Sequence, residues 1–86
     1  MTATELLTKA ESTARLYDAE NARNASCVRL FNSVKTELRR ILKDLGYTNS
    51  TYTQVYAAYS RINRFDVYAG NLSSVFAEAR FILTNN

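Results

Sequence analysis

Proline is absent from this chain, and its only glycines are Gly46 and Gly70. Nothing covalent therefore interrupts a helical ladder, and two isolated glycines between long runs of helix formers mark where helices stop. No stretch alternates apolar and polar types for long enough to argue for a strand. The expected fold class is all-α, a small bundle of three to four helices over about 4–24, 26–45, 51–68 and 73–84. At 86 residues the chain holds one domain, 1–86. With 47% apolar and 22% charged residues it is too apolar to remain disordered.

Thr4 is the expected N-cap of the first helix, with Glu5 in its first turn. Leu7, Ala10, Ala14 and Tyr17 recur at spacings of three and four. The same frame continues onto Asn21, Asn24, Val28, Phe31, Lys35, Leu38, Leu42 and Leu45. Either one helix runs from about 4 to 45, or two helices meet near Asn24–Ser26, with Asn24 or Ser26 capping the second. An unbroken rod would extend about 60 Å and need a partner along its side, so a break near residue 24 is favoured. Asn21 and Asn24 are then capping residues; in an unbroken helix they would be buried polar contacts of a helical dimer. Ala10, Ala14, Ala22 and Ala25 keep this half slim enough for close helix approach within or between chains.

Gly46 suits a left-handed C-terminal position, with Tyr47 folding over Leu42. Thr51 and Gln54 have capping-box spacing at the start of the third helix. Gly70-Asn71 closes that helix, and Ser73 or Asn71 opens the last, whose inner side carries Val75, Phe76, Ala79, Ile82 and Leu83.

Several function classes are disfavoured at once. Histidine is missing, which removes the commonest acid–base and metal-binding side chain. The lone Cys27 permits neither an internal disulfide nor a thiolate zinc cage and reads as a small buried apolar residue. Isolated glycines cannot form a phosphate-cradling loop. Glu5–Lys9 and Glu11–Arg15 have the spacing of surface ion pairs, which leaves Glu5, Glu11, Asp18 and Glu20 without the character of a metal set. The expectation is a non-enzymatic protein with no catalytic residues, metal or cofactor. No apolar run approaches the length of a membrane span, and the opening MTATELLTKAEST lacks signal-peptide character, so a cytoplasmic location is expected.

The net charge of +3 is concentrated in residues 25–46, which carry Arg29, Lys35, Arg39, Arg40 and Lys43. On a helical wheel Arg29, Thr36, Arg39, Arg40 and Lys43 lie opposite Phe31, Leu38 and Leu45. That face reads as solvated, with Glu37 pairing Arg40, or as a phosphate-attracting stripe beside Gly46. In the next helix Tyr52, Val55, Tyr56, Tyr59 and Ile62 form the expected inner arc. Ser50, Thr53, Gln54, Ala57, Arg61 and Arg64 form the opposite face.

The stretch Leu45-Gly46-Tyr47-Thr48-Asn49-Ser50-Thr51-Tyr52-Thr53-Gln54-Val55 resembles the turn and recognition helix of helix-turn-helix transcription regulators. The resemblance covers residues 41–64. It implies that Leu45, Tyr47, Tyr52 and Val55 are buried and that Ser50, Thr51, Thr53 and Gln54 face a DNA groove. Leu42 stands where that family usually has a small alanine, and Tyr52 is bulkier than the usual aliphatic anchor.

Two functions are expected from these residues. The first is a small DNA-binding regulator that presents helix 51–68 to double-stranded DNA and dimerises through its first helix. Its nucleic-acid contacts would be Arg39, Arg40, Lys43, Asn49, Ser50, Thr53, Gln54, Arg61 and Arg64. The alternative is a protein-binding inhibitor or adaptor, of the kind phages and mobile elements encode. It would use Tyr52, Tyr56 and Tyr59 with nearby arginines against a larger protein or nucleoprotein. The tyrosines also admit two further readings, a core stripe with hydroxyls at the rim or a stacking platform for unpaired bases aided by Arg61 and Arg64.

Overall fold

A computed structural model describes residues 1–84, which form four helices. They are α1 (Ala3–Ala19), α2 (Ala25–Leu45), α3 (Tyr52–Asn63) and α4 (Leu72–Thr84). Each helix packs on its neighbours in the chain, and α4 closes the ring by packing along α1. Glu11 meets Arg80 and Asp18 meets Leu72, so α1 and α4 run antiparallel. The result is an elongated bundle of 41 × 23 × 22 Å. Its core is a single apolar cluster containing Leu7, Phe31, Leu38, Ile62, Leu72, Val75 and Phe76. Cys27 is fully buried within it, and that burial pushes its thiol pKa up. Among the described residues no helix is long and apolar enough to cross a membrane.

The first helix starts earlier than Thr4. Thr2 caps it, accepting from the Glu5 N–H at 3.1 Å while the Glu5 carboxylate accepts from the Thr2 N–H at 3.0 Å. Glu5, though exposed, is thereby engaged in a capping box with Thr2 rather than in the expected pair with Lys9. The helix stops at Ala19, five residues before the expected limit. Continuing the frame would have placed Asn21 and Asn24 on the buried side without partners. Instead Asn21 adopts φ 53°, a left-handed geometry that asparagine tolerates. Asn24 then caps α2 by accepting from the Cys27 N–H at 3.0 Å. The break lies where it was expected, and Ala10 and Ala14 are buried inside this chain's own bundle.

The third helix is also shorter than expected, ending at Asn63 instead of 68. Asp66 lies four residues after Ile62, so another turn would carry its carboxylate onto the buried side. The chain unwinds instead. Phe65 packs edge-on against Phe31 at 5.9 Å, Val67 is buried, and Asp66 accepts from the Tyr68 N–H at 2.9 Å. Gly70 sits in this turn against the Phe65 ring and does not end a helix.

The Thr51–Gln54 capping box does not form. Asn49 takes that place, its side-chain oxygen accepting from the Thr51 N–H at 2.9 Å and the Thr51 hydroxyl at 2.8 Å. The expected surface pair Glu11–Arg15 needs correction as well. Arg15 does donate to Glu11 at 2.6 Å, but Glu11 is only 5% exposed and also accepts from Arg80 of α4 at 2.8 Å.

Candidate nucleic-acid interface

The side of α3 that enters the core is Val55, Ala58 and Ile62. Ala58 was not expected there. It is fully buried, as is Ala79 of the adjacent α4, and small side chains let two helices approach closely. With Val55, Ala58 and Ile62 turned to the core, the tyrosines fall on the flank that faces α2. Tyr56, expected inside, is 52% exposed, while Tyr52 and Tyr59 are half-buried.

Tyr47 departs further from expectation. Gly46 has φ 77° and ψ 157°, a combination almost confined to glycine, and its N–H closes α2 on the Leu42 carbonyl at 3.1 Å. The extended ψ carries the chain onward instead of folding it back over Leu42. Tyr47 consequently stands 87% exposed and its ring lies against Tyr52.

The four tyrosines make a continuous run. Ring centroids are 5.2 Å apart for Tyr47–Tyr52, 6.2 Å for Tyr52–Tyr56 and 6.4 Å for Tyr56–Tyr59. Tyr52 and Tyr56 are nearly parallel, at 18°. They form one wall of a groove of about 370 Å³ whose other wall is Arg39, Leu42, Lys43 and Gly46. Lys35, Arg39 and Lys43 follow at four-residue spacing on the same side of α2, and the Lys35 ammonium lies 4.5 Å above the Phe31 ring. Among the described residues none of these three cations has an acidic partner within ion-pair distance. The groove lining contains no acid.

The remaining expected contact residues divide by their surroundings. Ser50, Thr53 and Arg64 are exposed. Arg40 is also exposed but bonds Glu37, which holds the Glu37 carboxyl pKa down, and reaches Asp44 at 3.2 Å. Its charge is largely neutralised locally. Arg61 is turned toward α4, where it pairs with Glu78 at 2.5 Å. Gln54 lines a separate cavity at the end of the bundle with Val55, Leu83 and Arg40. Asn49 is engaged in the turn described above. Tyr47 belongs to the cluster but was not singled out as a contact.

Among the described residues no group of three His, Cys, Asp or Glu side chains converges as a metal site would require. No family model, curated protein or solved structure matches the chain.

Proposed function

We propose that this protein is a non-enzymatic nucleic-acid-binding regulator that presents its α2–α3 face to DNA. One observation carries the reading: Arg39 and Lys43 stand unpaired beside an acid-free groove, while Arg40 and Arg61 are held by acids. Free cations gathered on one face bind phosphates and release counterions. Arg64 and Thr53 are exposed on the outer side of α3, next to the tyrosine flank, and Ser50 is exposed in the preceding turn. The test is fluorescence anisotropy with a labelled DNA duplex over a range of salt. Binding should weaken with salt at a log–log slope of about −2 to −3 if Arg39, Lys43 and Arg64 each neutralise a phosphate. The triple change Arg39→Glu, Lys43→Glu, Arg64→Glu should abolish it. Retained affinity in that variant, with its helix content intact, overturns the reading.

A second reading has its own support in the exposure of Tyr47 and Tyr56. Tyrosine and arginine are enriched at protein contact hot spots, so the same face suits a small inhibitor or adaptor docking on an acidic protein surface. Loss of a defined protein complex on Tyr56→Ala, with no nucleic-acid binding by the parent protein, would favour it.

A further inference from the structure

Building on the nucleic-acid reading, we infer that the α2–α3 groove takes single-stranded nucleic acid, with unpaired bases stacked on the tyrosine run and phosphates along Arg39 and Lys43. Four rings in sequence, Tyr47, Tyr52, Tyr56 and Tyr59, line one wall of a cleft, and Tyr47 and Tyr56 leave ring surface open to solvent. Every base has a π face, so such a surface accepts bases with little regard to sequence. In a duplex those faces are hidden by neighbouring base pairs, and only an unpaired strand offers them.

Charge complementarity identifies the occupant. The opposite wall carries two unpaired cations and the lining holds no carboxylate, which suits a polyanion with flat aromatic groups. A wholly apolar partner would leave Arg39 and Lys43 desolvated and unanswered. The shape agrees as well. The rings line a recess between two helices, where a flexible strand can lie. A helix that enters a major groove would need its contact residues on a protruding ridge. Tyr47 and Tyr56 are the exposed rings, so about one or two bases can stack on this wall while the rest of the strand follows the cations.

The experiment uses the whole chain and a fluorescein-labelled oligothymidylate of about 12 nucleotides, compared with a duplex of equal length. The single strand should bind at least about tenfold more tightly than the duplex, a margin that stacking a few bases provides. Because the protein has no tryptophan, its intrinsic fluorescence comes from tyrosine and should be quenched as the strand binds. Tyr47→Ala combined with Tyr56→Ala should weaken single-strand binding about tenfold or more, while Tyr56→Phe, which keeps the ring, should not. Both positions are exposed, and circular dichroism verifies that the variants fold. Equal or tighter duplex binding, or indifference to the alanine changes, overturns the inference while leaving the nucleic-acid reading standing. Failure to bind either probe overturns both.

Discussion

The carboxylate of Asp18, near the end of α1, accepts hydrogen bonds from the Leu72 and Ser73 backbone N–H groups, at 3.1 and 2.8 Å. One helix thus supplies the N-terminal cap of another that lies 54 residues further along the chain. Arg23 steadies the arrangement, 3.7 Å from Asp18 and donating to the Asn71 side chain at 3.4 Å. Asp18→Ala should lower stability by about 1–2 kcal/mol, the usual effect of losing a cap whose donors are partly shielded. Asp18→Asn, which keeps one acceptor, should fall between that variant and the wild type. Urea denaturation followed by circular dichroism measures both.

Among the described residues Glu11 is the one buried charged side chain, shared between Arg15 of its own helix and Arg80 of α4. Glu11→Ala removes the acceptor and leaves a gap beside Leu7 and Ala14, so a loss of about 2–3 kcal/mol is expected. Glu11→Leu should cost less, because both arginines reach solvent and the leucine refills the space. Equal losses for the two variants would show that the ion pairs, rather than the packing, dominate at this position.

The two glycines should both resist substitution, but for different reasons. At Gly46 an added Cβ meets nothing within 4 Å, so Gly46→Ala should cost about 1–3 kcal/mol through backbone strain alone. At Gly70 the Cβ would fall 2.8 Å from a Phe65 ring atom. Gly70→Ala should therefore be relieved by Phe65→Leu, whereas Gly46→Ala should be relieved by no neighbouring change. Thermal melts of the single and paired variants test this.

Acid should weaken the start of α1. Hydrogen bonds from Thr2 hold the Glu5 carboxyl pKa below its ordinary value. A carboxylate whose folded value is depressed contributes stability above its unfolded value, and that contribution disappears as pH falls through the folded value. Melting temperatures of the wild type and Glu5→Gln should differ at neutral pH and converge on acidification. A gap that widens with acid would contradict the capping-box account.

An all-α bundle of three to four helices, the favoured break near residue 24 and most of the core were legible because they follow from local chemistry: spacing, the Asn24 cap and Gly46. The boundaries at Ala19 and Asn63 were not. They depend on which side of the helix Asn21, Asn24 and Asp66 would have faced in the assembled bundle, and that is a tertiary fact. The inner arc of α3 was displaced for a similar reason. The helical wheel placed Tyr56 on the inner arc, but the side of α3 that enters the core runs through Val55, Ala58 and Ile62. The cluster of Arg39 and Lys43 with Tyr52, Tyr56 and Tyr59 joins two helices, so only the fold brings it together. Tyr47 joins that cluster because of Gly46's extended ψ, which no residue pattern encodes.

Ring closure through α1 and α4 carries a kinetic consequence. The bond between Arg80 and Glu11 spans 69 residues, and α1 docks chiefly on α4, which is synthesised after the other three helices of the bundle. Until then Leu7, Ala10 and Ala14 lack the cover that α4 provides. Such late, sequence-distant pairing slows folding and leaves sticky surface open in the interval. Nascent chains stalled before residue 72 should consequently be targets for holdase chaperones.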